Sequence, residues 1–315
     1  MREKTVRAFA PASISNLGPA FDVLGIAIDT PGDYVMASRS RHTGLNFSVL
    51  SRHNEVPTGT KENVAAHVAS LILDEFKPSF GVKLRLEKKM PIGSGLGSSA
   101  ASSVAAAVAV NAILPHPLKK YDLLRFVVEG ERLASGSPHA DNAAPSLLGG
   151  ACLIRSYRPL DVVQVPVRNI FHWVVVHPHV VVRTETARRI LPKNISLQVA
   201  VQQWGNVSGV TIGLMKGDIE LLGKCIDDIV VEPVRAALIP GFFEVKQSAF
   251  DNGAFGCSIS GSGPSMFAVA GSGSSARKIG RAMVDTFKRT ARIKCDIYIS
   301  HINTVGAHIV SASST

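Results

Sequence analysis

A glycine-rich segment between a predicted strand and a helix of small residues constrains the fold of this chain more than any other feature. Residues 91–101 read Pro-Ile-Gly-Ser-Gly-Leu-Gly-Ser-Ser-Ala-Ala. Glycines at alternate positions let the backbone turn successive N–H groups into one concavity, and such a nest binds anions. The helix predicted over 98–114 adds the positive end of its dipole to this attraction. The segment therefore predicts a phosphate-binding loop.

Two widespread phosphate-binding patterns do not fit this segment. It is not a Walker A loop, because no Gly-Lys-Ser/Thr ends it. It does not fit G-x-G-x-x-G either, because its glycines are spaced two and two. A flexible connection that only separates strand from helix remains the alternative. The strand–loop–helix order and the small side chains that follow favour the phosphate site.

The rest of the chain predicts an α+β protein of two domains. A length of 315 residues corresponds to about two domains of roughly 150 residues each. Strands and helices are mixed without regular β-α-β alternation, which indicates the α+β class. The boundary is placed so that one domain covers 1–165 and the other 166–315. Helical patterns are predicted over 62–76, 98–114, 120–134, 184–191, 196–215, 218–230, 241–251 and 275–289.

Nothing in the sequence predicts insertion into a membrane or export. The most apolar stretch, 100–114, is shorter than the roughly 20 apolar residues that a transmembrane helix needs. The first residues contain no apolar signal core, so a cytoplasmic location is expected. Four widely spaced cysteines without a C-x-x-C pair predict free thiols buried among apolar neighbours.

The net charge of +10 raises the question of a nucleic-acid partner. The basic residues are scattered, and they are not interleaved with aromatic residues, which make up only 6% of the chain. A basic field attracts a small anionic ligand equally well. Charge alone therefore does not decide the partner, and no nucleic-acid binding is predicted.

Three segments together resemble the motifs of one enzyme family, the GHMP kinases. Segment 91–101 resembles their ATP-binding motif. Residues 10–25, Ala-Pro-Ala-Ser-Ile-Ser-Asn-Leu-Gly-Pro-Ala-Phe-Asp-Val-Leu-Gly, resemble the first motif in the form it takes in the homoserine kinases of the family. Residues 256–265, Gly-Cys-Ser-Ile-Ser-Gly-Ser-Gly-Pro-Ser, resemble the third motif, a loop that closes over the site. The resemblance implies the GHMP kinase fold, with a ribosomal-S5-like α/β domain followed by a ferredoxin-like α+β domain.

The resemblance also implies an ATP site that contains Mg²⁺. Asn63 matches a residue near the adenine. Ser98 and Glu131 match the hydroxyl and the carboxylate that hold the metal, and Mg²⁺ prefers such oxygen ligands. The implied ATP-binding loop consists of Pro91, Ile92, Gly93, Ser94, Gly95, Leu96, Gly97, Ser98, Ser99, Ala100 and Ala101.

The substrate that the resemblance implies is L-homoserine, phosphorylated on its side-chain hydroxyl in threonine biosynthesis. This zwitterion needs a cation for its carboxylate and an anion or carbonyl for its ammonium, and arginine binds carboxylates with two parallel hydrogen bonds. Carrying over the family's positions gives the substrate-binding residues Asn16, Asp22, His139, Asn142, Thr184, Arg188, Arg235 and Gly261.

Read without the resemblance, these residues have simpler interpretations. The arginines and Glu131 would be solvated surface charges, and Asp22, Asn16 and Asn142 would be turn or cap residues. One position departs from the family's first motif, because Ala20 stands where a glycine is usual. Alanine would be strained there if the backbone required a positive φ.

Asp22 and Glu131 are the candidate catalytic residues. Two mechanisms stay open: Asp22 accepts the hydroxyl proton, or positioning suffices and the phosphate itself accepts it. We favour the second, because the first motif lacks the lysine that many relatives place beside their base. Rival functions are another GHMP kinase acting on mevalonate or shikimate, a non-catalytic ATP-binding regulator, and a nucleic-acid binder. The sequence leaves open whether the chain forms a homodimer.

Overall fold

The computed structural model describes residues 4–52 and 56–314 and contains two sheets. The first sheet consists of β1 (Lys4–Asn16), β2 (Ala20–Ser40), β3 (Leu45–Ser51), β4 (Gly81–Lys88), β5 (Ala151–Tyr157), β6 (Leu160–Val165) and β11 (His308–Ser314). Its helices are α1 (Val64–Phe76), α2 (Ser98–Ile113), α3 (Leu124–Ser135) and α4 (Ala143–Leu148), with a short 3-10 helix at Lys120–Leu123.

The first sheet is antiparallel except at one pair. Its strand order is β11-β1-β2-β4-β3, and β5 pairs with both β2 and β6. β3 and β4 run parallel, as expected for strands joined through a helix, here α1. The long strands β1 and β2 are joined by a tight turn at 17–19, which places the first motif at one end of the sheet.

The predicted small-residue helix is confirmed as α2, and it lies in the centre of the first domain. It packs against β1, β2, α1 and α3. Its alanine, valine and serine side chains are almost all buried, which is expected of a helix without a polar face. Small side chains let α2 approach the sheet closely, so that its N-terminus opens at the edge where the motifs meet.

The second sheet is antiparallel, with the order β10-β7-β9-β8. Its strands are β7 (His172–Pro178), β8 (Gly256–Ile259), β9 (Met266–Ala270) and β10 (Cys295–Ser300). The helices of this part are α5 (Thr184–Arg189), α6 (Leu197–Lys216), α7 (Ile219–Cys225), α8 (Glu232–Arg235), α9 (Phe242–Asp251) and α10 (Gly273–Ala291), with a 3-10 helix at Ala236–Leu238. A core between this sheet and α9 and α10 contains Val174, Phe242 and Phe287.

The helix predicted over 218–230 ends earlier, at Cys225. The carboxylate of Asp228 accepts hydrogen bonds from the backbone N–H groups of Val230, Val231 and Glu232. Those bonds organise a turn that leads into α8 and compete with continuation of the helix. The helices α4 and α8 were not predicted, because six and four residues carry too little periodic pattern.

The two parts of the chain share one large core. It joins residues of β1 such as Ile14 to Trp173 of β7 and Val210 of α6. The predicted boundary after residue 165 falls between β6 and β7, whereas the last strand, β11, pairs with β1 in the first sheet. Within the described residues no helix combines the length and apolar character needed to cross a bilayer. The four cysteines are free thiols; three are buried and Cys295 is partly exposed.

Candidate active site

The motifs of the sequence meet in one cleft of about 1180 Å³ between the two parts of the chain. Most of the predicted ATP-binding and substrate-binding residues line it. Four of the predicted residues do not: Pro91, Leu96, Ala100 and Ala101. The last three have fully buried side chains, so they support the loop from the core side.

The glycine-rich loop requires glycine for both conformation and space. Gly93, Gly95 and Gly97 have φ values of +63°, +77° and +66°, a region that other residues adopt only with strain. A Cβ on Gly95 would lie 2.4 Å from the carbonyl oxygen of Ser260, and one on Gly97 would lie 2.2 Å from Ser13 Oγ. The glycine-rich loop therefore packs tightly between the segments 10–25 and 256–265.

Hydrogen bonds fix the direction of the loop's peptide groups. The carbonyl oxygens of Ser94, Gly95 and Leu96 accept from Ser265 N at 3.2 Å, Ser260 Oγ at 2.7 Å and Ser13 N at 3.1 Å. In a trans peptide the C=O and the following N–H point in opposite directions. The N–H groups of residues 95–97 consequently point away from these contacts, which is the arrangement an anion nest needs.

The N-terminus of α2 continues this nest. Its cap residue is Gly97, so no side chain satisfies the first backbone N–H groups of the helix. The hydroxyl oxygens of Ser94 and Ser98 are buried and have no hydrogen-bond partner among the described residues. Unpaired buried donors at the positive end of a helix are what a phosphate group satisfies.

Ser98 and Glu131 form a candidate magnesium site. Glu131 reaches the cleft from α3, which packs against α2, and its Oε1, like Ser98 Oγ, is buried without a partner in the described part of the chain. Burial raises the pKa of Glu131 to about 7, and a hydrogen bond from Ser99 offsets part of this effect. Two orphaned oxygen atoms, one of them a desolvated carboxylate, fit a hard cation such as Mg²⁺.

A buried lysine behind the loop was not predicted. Lys88, the last residue of β4, pairs with the carboxylate of Asp33 and donates to Ser98 O at 2.7 Å and Ser102 Oγ at 2.8 Å. It also lines the cleft. The sequence held a signal for it, because the alternation of Val82, Leu84 and Leu86 places position 88 on the same inward face.

The cleft also contains an ion pair between two predicted substrate residues. Arg188 Nη2 donates to both carboxylate oxygens of Asp22, at 2.8 and 2.9 Å. His139 Nδ1 lies 3.7 Å from the same carboxylate. Asp22 adopts a φ of +60°, and its N–H donates to Asn16 Oδ1 at 3.2 Å. A strained non-glycine residue held by its neighbours is a common feature of functional sites.

Arg235 and Asn16 converge on one carbonyl of the third motif. Arg235 Nη1 and Asn16 Nδ2 donate to Gly261 O at 2.8 and 2.9 Å. Burial lowers the pKa of Arg235 to about 10. The guanidinium groups of Arg188 and Arg235 lie 4.9 and 5.1 Å from the ring centroid of Phe21. Both cations therefore contact the same aromatic ring. Phe21 was not among the predicted site residues.

Asp141 is a further residue of the cleft that was not predicted to act in the site. Its side chain is buried, and its Oδ1 has no partner within the described residues. Burial, together with the charge of Asp22, raises the pKa of Asp141 to about 7. Ligand atoms of Asp22, His139 and Asp141 all lie within 4.8 Å of one another. This group forms an anionic pocket suited to a cation, either a metal ion or an ammonium.

Three further predicted residues, Asn63, Asn142 and Thr184, line the cleft, and their polar groups contact other groups of the protein. Asn63 caps α1 through Ala65 N and donates to Pro57 O at 2.7 Å. Asn142 joins Ser13 Oγ and Ser15 Oγ, and Thr184 Oγ1 lies 3.3 Å from Ser262 Oγ. These side chains shape the walls of the cleft and connect its loops.

The expected strain at Ala20 does not arise. Ala20 is buried at the start of β2, and it is absent from the residues of positive φ among those described. The left-handed conformations of this turn occur at Asn16, Leu17, Gly18 and Asp22 instead. The turn therefore accepts alanine at this position.

Comparison with known proteins agrees with this geometry. Residues 63–150 match the family described as GHMP kinases N terminal domain, and residues 211–289 match GHMP kinases C terminal. The first range contains the glycine-rich loop, Glu131 and His139. The second contains Arg235 and the third motif.

Two curated relatives and one solved structure are similar to this chain over nearly its whole length. The homoserine kinase of Chlorobium phaeobacteroides strain BS1 is 44% identical over 98% of this chain and 100% of its own. That of Chlorobaculum tepidum is 44% identical over 99% of this chain and 100% of its own. The crystal structure of homoserine kinase from Cytophaga hutchinsonii is 46% identical, with a TM-score of 0.93 and 97% of each chain covered. The chain therefore belongs to the GHMP kinases, and within them to the homoserine kinase family.

Proposed function

We propose that this protein transfers the γ-phosphoryl group of ATP to the side-chain hydroxyl of L-homoserine and releases O-phospho-L-homoserine and ADP. The activity named for its full-length relatives supports the proposal. The observation that carries it is the arrangement of the cleft. Groups suited to a polyphosphate and groups suited to an amino-acid zwitterion line the same cleft.

The nucleotide end is assigned to the loop 93–99. The N–H groups of the loop and of the first turn of α2 bind the phosphates, because glycine lets the anion approach the main chain closely. Asn63, Pro57 and Val182 form part of the surrounding wall and are assigned to the adenine side. This part of the site acts by positioning, which is the main requirement of phosphoryl transfer.

Mg²⁺ is assigned to Ser98 and Glu131 on the basis of their orphaned oxygen atoms. When bound there, the ion neutralises negative charge on the phosphates. The carboxylate of Glu131 would hold the ion beside the N-terminus of α2. Lys88, fastened to Ser98 O and Asp33, keeps the first turn of the helix in place.

The substrate end is assigned to the charged groups around Asp22. Arg188 and Arg235 bind the carboxylate of the amino acid, and the carboxylates of Asp22 and Asp141 face its ammonium. In the described structure Asp22 and Arg188 satisfy each other. A zwitterion can replace this pair without leaving either charge unpaired, since it carries both complementary charges.

We assign Asp22 to substrate positioning and not to proton abstraction. Both of its carboxylate oxygens accept from Arg188, so they are directed toward the guanidinium group. The hydroxyl proton of homoserine passes to the phosphoryl oxygens in this scheme. Alignment of the hydroxyl with the terminal phosphate supplies the rate enhancement.

ADP release measured with L-homoserine, mevalonate, shikimate and galactose at the same ATP and Mg²⁺ concentrations tests the proposal. L-2-aminobutyrate, which lacks the hydroxyl, controls for uncoupled ATP hydrolysis, and phosphorus NMR identifies the ester. We expect turnover with homoserine alone. Turnover with another alcohol identifies another kinase of the family. ATP binding without turnover on any of them indicates a regulator.

We propose a cytoplasmic enzyme that has no nucleic-acid partner and forms a homodimer. Affinity for DNA or RNA that falls steeply as salt rises would contradict the absence of a nucleic-acid partner. Such a salt dependence is the sign of phosphate contacts, which release counterions.

A further inference from the structure

The outer face of α6 carries a row of exposed apolar side chains that the proposed activity does not use. Trp204 is 59% exposed, whereas the other tryptophan, Trp173, is fully buried. Leu197, Val201 and Met215 of the same row are also exposed, and so is Ile212 beside the row. Exposed apolar residues are ordinary when they are scattered, but a continuous patch marks an interaction surface.

The row has the spacing of a helix–helix contact. Leu197, Val201, Trp204, Ser208, Thr211 and Met215 follow one another at intervals of four, three, four, three and four residues. This spacing is that of the a and d positions of a coiled coil, which face a partner helix. The opposite side of α6 packs into the protein through Ala200, Val210 and Leu214. The row therefore points away from the core.

The same helix lacks charge over almost its whole length. Residues 197–215 contain no Asp, Glu, Lys or Arg. A solvent-exposed helix normally carries charges on its outer face. The chain has a net charge of +10, so two copies repel each other in general. At a neutral apolar face this repulsion is weakest, and the free energy gained by burying apolar surface can exceed it.

The row is also self-complementary when reversed. Around Asn206, an antiparallel second copy brings Leu197 opposite Met215, Val201 opposite Thr211, and Trp204 opposite Ser208. In the central pair the largest side chain meets a small one. A Cβ on Gly205 would have no atom within 4 Å, so the surface beside Trp204 has room for the indole of the partner.

We propose that α6 is the homodimer interface of this protein, formed by antiparallel pairing of α6 with α6 of a second copy across a two-fold axis near Asn206. A closed two-fold contact buries the same patch on both subunits. The interface lies behind the substrate end of the cleft. From the inner side of α6, Gln203 donates to Pro19 O at 2.9 Å and so supports the turn of the first motif.

Sedimentation velocity at micromolar concentration tests the surface. We expect a dimer for the wild type and a monomer for Trp204→Glu, because the substitution places a charge in an apolar contact. Phe243→Glu is the matched control, since Phe243 is a large apolar residue, 67% exposed, on α9; it should remain dimeric. A monomeric wild type, a dimeric Trp204→Glu, or dissociation by Phe243→Glu overturns the proposal.

A charge swap tests the antiparallel register. Val201→Glu should dissociate the dimer, and Val201→Glu/Thr211→Lys should restore it, because residue 201 of each copy meets residue 211 of the other. In a parallel pair the same double variant places Glu against Glu and Lys against Lys. Failure of the double variant to dimerise contradicts the proposed pairing.

Fluorescence gives a readout independent of size. Trp173 is buried in both states, so in the wild type only Trp204 changes its environment. We expect the emission to shift to longer wavelength on dilution, with the same midpoint as dissociation in sedimentation. The shift should be absent from Trp204→Phe. An emission spectrum that does not change while the dimer dissociates contradicts a Trp204 contact.

Discussion

The two ends of the cleft differ in how far their polar groups are paired. At the nucleotide end the hydroxyl oxygens of Ser94 and Ser98 and Oε1 of Glu131 are buried without partners in the described structure. At the substrate end Asp22 pairs with Arg188, and Arg235 donates to Gly261 O, whereas Asp141 Oδ1 has no partner among the described residues. Unpaired buried groups cost stability until a ligand arrives, whereas paired groups must exchange partners. Substitutions at the two ends should therefore differ in kind.

The largest effect should follow from Glu131→Ala. Removing the carboxylate deletes the proposed metal ligand, which acts on charge at the phosphates, and we expect kcat to fall by about 10²–10³-fold. Steady-state kinetics with a Mg²⁺ titration measures it. Glu129→Ala is the matched control, because Glu129 lies on the same helix with an exposed side chain. Equal kcat values for the two variants would remove Glu131 from the site.

Arg235→Ala should raise KM for homoserine by roughly 10–100-fold, the loss of one charge-assisted contact, and change kcat less. The guanidinium is proposed to bind substrate carboxylate and not the reacting atoms. Kinetics at saturating ATP measure the two constants separately. Arg189→Ala, an exposed neighbour of Arg188, should leave both unchanged. An unchanged KM in Arg235→Ala contradicts the assignment.

Gly95→Ala should raise KM for ATP and lower Tm, whereas Gly136→Ala should only lower Tm. The two glycines have nearly the same φ, +77° and +78°, but a Cβ meets Ser260 O at Gly95 and nothing within 4 Å at Gly136. Strain alone costs about 1 kcal/mol, so the difference between the variants reports the close contact. Equal losses of Tm in the two variants would mean that Ser260 moves away from the new Cβ without a cost in stability.

The smallest effect should appear in the pH dependence of the ligand-free protein. The pKa of Glu131 is raised to about 7 by burial, so the folded state binds more protons than the unfolded state between the ordinary value and pH 7. Stability should then fall as pH rises through this window. Glu131→Gln removes part of this loss and should raise Tm at pH 8 relative to the wild type, but not at pH 5. Differential scanning fluorimetry at both pH values measures it.

With Mg²⁺ and ATP added at pH 8, the wild type should have a higher Tm than Glu131→Gln. A bound cation stabilises the ionised carboxylate, so ligand should raise the Tm of the wild type at pH 8 more than that of Glu131→Gln. Equal ligand shifts in the two proteins would contradict the metal site. In the same way, the apparent affinity for Mg²⁺ should fall as pH drops below about 7, since the proton competes with the metal.

The conformation of the glycine-rich loop could be predicted from the sequence because its parts are local. Glycines 93, 95 and 97 and the helix that follows lie within one continuous segment, and their backbone requirement is visible in the residue types. Lys88 was missed although strand alternation pointed it inward, because its partner Asp33 lies 55 residues away. No local pattern indicates a buried ion pair across that distance.

The substrate end could be predicted only through the resemblance to known motifs. Asp22, Arg188 and Arg235 come from three separate segments, and each has an ordinary interpretation as a surface or turn residue. Asp141, from a fourth segment, was not predicted. The local sequence around Asp141 indicates a turn, and the burial of its side chain appears only after α4 closes against β1. The apolar row of α6 likewise has no meaning until the other side of the helix is known to be buried.

The sequence by itself determined the α+β class, the glycine-rich loop between strand and helix, and the central small-residue helix. These depend on backbone conformation and on apolar periodicity, which are local properties of the chain. Only the tertiary structure decided which charges face each other, which oxygen atoms are left without partners, and which face of α6 is exposed. Those properties depend on desolvation and on distances between residues far apart in sequence, so local sequence patterns do not reveal them.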